Sequence, residues 1–290
     1  MCDQDQMAAM GRVNRRQFGA IGLAGGAAAG LSACTTMDTA TSSSLTERQV
    51  TFDAPGGRMD GYFVHPRDGA HPGVILWPDI AGIREAKRAM ARRLAGEGYA
   101  VFVANPYYRS VVGEQFADFE TFRAADGFQK VAPWREKNTP EAVMATARAV
   151  VDWLDDQERV DFGKGIANQG YCMTGSWTVF TAAARPDRVR AAASFHGGGL
   201  VVDGAMSPHR LLSKTDPAAH FQIAIAQDDD AKAPDHDNIL QQSLTGAPRM
   251  GEVEVFPANH GWTVLDSPAY DRAAAERAWG RMLAIYQRSL

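Results

Sequence analysis

Ile166-Ala167-Asn168-Gln169-Gly170-Tyr171-Cys172-Met173-Thr174-Gly175-Ser176-Trp177 is a strand-like segment that passes into a helix-like one through two glycines, with Cys172 at the turn. In a strand–turn–helix elbow the central residue holds a strained backbone at the carboxyl end of a sheet strand. Small flanking residues let the following helix pack close, and the central side chain is held in a cleft. The positive end of the helix dipole lowers the pKa of a thiol placed there. The bland alternative is a buried cysteine acting as a small apolar side chain. The context favours a nucleophile.

Such an elbow presupposes a parallel sheet, and the flanking sequence supplies one. Gly73 to Trp77 and Tyr99 to Val103 are continuous apolar runs, as expected of strands buried on both faces. Further strands are predicted at Gly165 to Gln169, Arg190 to Phe195, Phe221 to Ala226 and Glu252 to Phe256. Gln49 to Phe52 and Gly61 to His65 read as a leading hairpin around Pro55-Gly56-Gly57. Glu85 to Gly96 carries Met90 and Leu94 at helical spacing, and Asp271 to Tyr286 reads as a closing helix. Thr139-Pro140-Glu141 supplies an N-cap, a first-turn proline and an early acid, ahead of Val143, Met144, Ala147, Val150, Val151 and Leu154 on one helical face. Gly113 to Lys137 has no clear period and reads as a loop with one helix at most. Alternating strands and helices of this kind give an α/β domain with a mostly parallel central sheet.

A nucleophile needs a base, and seven histidines are available. With the triad order nucleophile, acid, base, the base belongs on the loop after the last strand, which is where His260 stands. His65, His71 and His209 adjoin prolines in expected surface loops, and His236 reads as a solvated helix start rather than a metal ligand. The acid belongs just after the penultimate strand, where Gln227-Asp228-Asp229-Asp230 lies. Counting from the strand end favours Asp229, whereas counting back from Pro234 favours Asp230; Asp229 is the preferred reading.

From about Leu45 to Leu290 the chain resembles the dienelactone hydrolase family. Four stretches carry the resemblance: Gly170-Tyr171-Cys172-Met173, Asp229/Asp230 through Pro234, His260-Gly261, and Trp77-Pro78-Asp79-Ile80-Ala81-Gly82-Ile83. It implies an α/β-hydrolase fold with helices on both faces of the sheet. It also implies cofactor-free and metal-free cleavage of a small ester, lactone or thioester through an acyl-Cys172 intermediate. Asp79 falls where the family usually has a glutamate that helps activate the thiol, and the backbone N–H groups of Ile80 and Met173 fall at its oxyanion-hole positions. Tyr108 and Arg109, His196 before its glycine run, and Trp262 are expected to line the substrate site.

Two departures bear on the carry-over. Thr174 stands where the family commonly has glycine, which predicts a helix packed slightly farther out. Val264 stands where better-known members have a carboxylate-binding arginine, which points away from dienelactone itself. The rival reading is a binding protein on a hydrolase scaffold with little or no catalysis.

The first forty-odd residues do not read as fold. Arg15-Arg16 before Phe18 and an apolar Gly/Ala-rich run from Ile21 to Leu31 resemble a twin-arginine export signal, and Leu31-Ser32-Ala33-Cys34 resembles a lipobox. Cleavage near Ala33 without lipidation is the alternative. The division is an export signal over 1–34, a polar tether over 35–47 and a catalytic domain over 48–290. This organisation predicts a periplasmic or membrane-anchored monomer, touching the membrane only through a lipidated Cys34. Across 290 residues the 45% hydrophobic content is ample for a core, and a net charge of −4 gives no basic field for nucleic acid.

Overall fold

A computed structural model describes residues 44–247 and 249–290. The export signal, the lipobox at Cys34 and residues 35–43 of the tether lie outside the described residues. The strands in chain order are β1 (Leu45–Ala54), β2 (Gly57–Pro66), β3 (Gly73–Trp77), β4 (Ala100–Ala104), β5 (Ile166–Tyr171), β6 (Val189–Phe195), β7 (His220–Ala226) and β8 (Met250–Phe256). The helices are α1 (Glu85–Gly96), α2 (Phe119–Ala124), α3 (Gly127–Arg135), α4 (Pro140–Asp155), α5 (Trp177–Ala184), α6 (Pro208–Leu211), α7 (Gln227–Asp230), α8 (His236–Gly246) and α9 (Arg272–Ser289). One eight-stranded sheet runs β1-β2-β4-β3-β5-β6-β7-β8. The leading hairpin pairs antiparallel with itself and with β4, and every later pair is parallel. β1 begins at Leu45, inside the segment read as a tether.

The strands are apolar throughout because both faces are covered. In β3, Ile75 and Trp77 join the core under α4 with Val143, Val150 and Leu154. Val74 and Leu76 point the other way, to Met90 and Leu94 of α1 and Met282 and Ile285 of α9. This period-two division repeats in β4 and sets the register of the sheet. α4 starts where its sequence directs: Thr139 Oγ1 accepts from the Ala142 N–H at 3.2 Å, and Pro140 occupies the first turn.

Two expectations change. The stretch from Gly113 to Lys137 contains two helices, α2 and α3, of six and nine residues. Helices that short show no readable period, and tertiary contacts hold them: Phe122 and Val131 are fully buried in a third cluster with Ile80, Tyr107, Phe116 and Cys172. This cover packs directly on the elbow. His65 is no surface loop residue; it is buried in β2, with Nδ1 2.7 Å from the Pro66 carbonyl.

Candidate active site

Cys172 follows β5 directly and has φ +55°, a left-handed conformation costly to a non-glycine residue by about 1–2 kcal/mol. A single 3-10 turn, Cys172–Thr174, separates it from α5. The residue after Cys172 therefore belongs to this turn and not to the α-helix itself. The glycines permit close approach: a Cβ on Gly170 would stand 2.2 Å from the Thr174 carbonyl oxygen, and one on Gly175 2.2 Å from Gly197 Cα. Thr174 is built into the elbow. Its hydroxyl accepts from the Tyr171 N–H at 3.0 Å and donates to the Trp77 carbonyl at 2.9 Å, tying the turn to β3.

The loop after β8 carries His260, and the turn after β7 carries the acid. His260 Nδ1–H donates to Asp229 Oδ2 at 2.6 Å. Asp229, not Asp230, is the carboxylate at the histidine. Asp228 was missed by sequence reasoning: its Oδ1 accepts from the His260 backbone N–H at 2.7 Å. Three consecutive aspartates flagged the turn, but which of them face the loop depends on the phase of α7. Gly261 has φ +98°, and a Cβ there would meet Ser267 Oγ at 2.6 Å, so the chain turns tightly after the histidine.

Asp79 lies in a different setting. Arg84 Nη1 and Nη2 donate to its two carboxylate oxygens at 2.8 and 2.9 Å, and Lys87 Nζ stands 2.9 Å from Oδ2. Arg84 also donates to both oxygens of Asp266, at 2.7 and 2.8 Å, and Asp266 accepts from the Phe119 N–H at 2.9 Å. Burial alone would raise the Asp79 pKa, but Arg84 and Lys87 outweigh it and hold the carboxyl well below the usual range. Burial raises the cost of every charge in this cluster, and the complementary charges offset it. Asp79 borders the Cys172 cavity with both oxygens engaged by cations, an arrangement unlike that of a carboxylate held ready to exchange partners.

The Ile80 carbonyl accepts from Tyr107 Oη at 2.7 Å, and the same hydroxyl lies 3.5 Å from Met173 Sδ. Tyr107 thereby braces both residues whose N–H groups were predicted to face an oxyanion. Met173 sits in the first turn after Cys172, where an N–H has no partner within the turn.

A cavity of about 30 Å³ is bordered by Asp79, Phe119, Cys172, His196, His260, Gly261, Val264 and Ser267. The structure therefore brings Cys172, His260, Asp79 and His196 together. Tyr108 and Arg109 stand apart from this lining: Tyr108 Oη is bonded to the Pro55 carbonyl, and Arg109 donates to the Ala142 carbonyl and Thr146 Oγ1. They brace the leading hairpin against α4. Trp262 is fully buried, stacked on Phe256 and edge-on to His196, behind the cavity rather than in its wall. A second, larger cleft of about 550 Å³ is lined in part by Met173, Ser176, Trp177, Phe180 and Gly198. Among the described residues no group of three or more His, Cys, Asp or Glu side chains is arranged to hold a metal ion.

Residues 59–290 match the model of the dienelactone hydrolase family. The chain belongs to that family. It is 29% identical over 243 residues to a Salmonella typhi protein assigned to the carboxymethylenebutenolidases by name alone, covering 81% of this chain and 84% of that protein. It is 27% identical over 224 residues to the carboxymethylenebutenolidase of Rhodococcus opacus, covering 75% and 81%. Among solved structures, a dienelactone hydrolase-like protein of Klebsiella pneumoniae superposes with a TM-score of 0.70 at 24% identity, covering 84% of this chain and 99% of that one; at that identity the likeness bears on the fold. Family membership makes this chain a hydrolase, on an α/β scaffold whose sheet ends at the cavity just described.

Proposed function

We propose that the protein hydrolyses a carboxylic ester, lactone or thioester through a covalent acyl-Cys172 intermediate. One observation carries this reading: Cys172, strained at its elbow, and His260, hydrogen-bonded to Asp229, border one cavity. The reduced thiolate attacks the carbonyl carbon, and the charge that develops on oxygen is met by the Ile80 and Met173 N–H groups. His260 Nε2, having taken the Cys172 thiol proton, delivers it to the leaving alkoxide or thiolate, with Asp229 fixing the tautomer and stabilising the charged ring. Water then attacks the thioester, and the acid is released.

Val264 supports a substrate that is apolar where dienelactone is anionic, since it borders the cavity in place of the family's arginine. Arg84 and Lys87 are engaged by Asp79 and offer no substitute. The test is turnover of p-nitrophenyl acetate under reducing conditions. Cys172→Ala abolishes it while the far-UV circular dichroism is unchanged; retained turnover overturns the acyl-cysteine route.

Export and anchoring through Cys34, and a monomeric state, complete the proposal on the strength of the N-terminal sequence. Membrane fractionation of Cys34→Ser against the unaltered chain tests the anchor, and size-exclusion chromatography of the chain from Thr35 tests the monomer.

A further inference from the structure

His196 is a non-glycine residue at φ +40°, directly after β6, with about 1% of its surface exposed. Its backbone N–H donates to the Ala224 carbonyl at 2.7 Å, so the chain position is fixed by the sheet. Nε2 lies 3.0 Å from Thr263 Oγ1, in the loop that carries His260. Nδ1 has no hydrogen-bond partner among the described residues. The ring packs edge-on against His260 with centroids 4.8 Å apart, and against Trp262 at 5.1 Å. A phenyl ring would fill the same space with no ring nitrogen of its own left unmet. Strained backbone and an unsatisfied buried nitrogen occurring together mark a functional position rather than a packing one.

The cavity bordered by His196, Cys172 and His260 is about 30 Å³. A single water needs roughly 10–15 Å³ measured this way and two or more polar partners. The space therefore matches the second reactant of hydrolysis rather than the organic part of a substrate. We propose that His196 holds the hydrolytic water of the deacylation step, between its own Nδ1 and Nε2 of His260. The proposal rests on the acyl-Cys172 reading above.

Either tautomer serves. When Nε2–H donates to Thr263, Nδ1 accepts a hydrogen from the water; when Thr263 donates to Nε2, Nδ1–H donates to the water oxygen. The water oxygen bonds to the thioester carbon as His260 Nε2 takes one proton. The tetrahedral oxyanion then collapses, the carbon–sulfur bond breaks, and its electron pair returns to Cys172 Sγ. The carboxylic acid leaves, and the proton on His260 passes to the thiolate, restoring the resting pair. Burial, and then the charges of His260 and Lys87, hold the His196 pKa well below the ordinary imidazole range, so the ring stays neutral beside an imidazolium.

Pre-steady-state turnover of p-nitrophenyl acetate under reducing conditions separates the two half-reactions. His196→Phe is expected to keep a burst near one equivalent, with the acylation rate within about fivefold, while steady-state turnover falls about a hundredfold. Intact mass and peptide mapping then find the acetyl group on Cys172. His196→Gln, whose carboxamide can still hold a water, recovers about tenfold over the phenylalanine variant, and it also gives the reading should His196→Phe fail to fold. Equal loss of acylation and deacylation in the folded variant, or no loss of either, overturns the role of His196. Turnover that survives Cys172→Ala instead overturns the acyl-cysteine reading on which it stands.

Discussion

Asp79 borders the Cys172 cavity and Asp229 meets its histidine, and the surroundings of the two carboxylates differ in kind. The Asp229 side chain is 20% exposed and accepts from the imidazole of His260. The Asp79 side chain is 4% exposed and faces two cations, one of which is shared with Asp266. A carboxylate balanced by a titratable neighbour near solvent can support a charge that comes and goes. A carboxylate closed in with an arginine and a lysine keeps its charge, and its value lies in fixing the geometry of what it touches. Asp79 Oδ1 accepts from the Ala81 N–H at 3.0 Å, and the cluster reaches the Phe119 N–H through Arg84 and Asp266. The cluster thus joins the Ile80 loop, the start of α1, the loop after His260 and the cover helix α2 at one point.

Four substitutions press on this contrast. Asp229→Asn has the largest expected effect: kcat for p-nitrophenyl acetate falls about a thousandfold because the tautomer of His260 is no longer fixed. The urea midpoint hardly moves, and a large loss of stability would erase the distinction between the two aspartates. Arg84→Ala acts the other way. It leaves Asp79 and Asp266 short of a buried cation and lowers unfolding free energy by about 3 kcal/mol or more, read by equilibrium denaturation. A loss below about 1 kcal/mol would rank this cluster with ordinary surface pairs.

Asp79→Glu restores the family's residue at a fully enclosed position. The added methylene is expected to cost about 2 kcal/mol of stability and to leave the acylation rate no faster. Faster acylation would give Asp79 the activating role that its two cations argue against. The smallest effect concerns Lys87, whose pKa burial pushes down to about 8 against the pull of Asp79. Between about pH 8 and the free-lysine value of ~10.4 the folded protein has lost this proton and the unfolded chain still holds it. Stability relative to Lys87→Met therefore rises across that window, by about 1–3 kcal/mol, and is flat below it. Asp79 gives the opposite limb: its lowered pKa contributes stability that is present above about pH 4 and is lost as pH falls through the folded value.

The sheet was legible in the sequence because each strand announces itself locally. Gly73 to Trp77 and Glu85 to Gly96 match the structure residue for residue, since a run buried on both faces and a period of 3.6 are properties of a few adjacent residues. Cys172 and His260 were legible for a related reason, their place at the ends of such runs. The substrate wall was not. Tyr108 and Arg109 have the right residue types, but Tyr107 turns toward the elbow and Tyr108 toward Thr146, an orientation settled by α4 and the hairpin on the far side. Nor did anything mark Arg84, whose partner Asp266 stands 182 residues away.

By itself, then, the sequence determined the α/β class, the order of its strands along the chain, the elbow at Cys172 and the loop position of His260. Those depend on hydrophobic pattern, glycine placement and chain order, all of which are written along one dimension. Only the tertiary structure decided that Asp229 rather than Asp230 meets His260, that Asp79 is closed in by Arg84 and Lys87, and that His196 turns its ring to the cavity. These outcomes depend on the phase of a single turn, on charges brought together from distant segments, and on which side chain loses its access to water. Hydrogen bonds and buried ion pairs are short-ranged and directional, so they are fixed by positions in space that spacing along the chain does not specify.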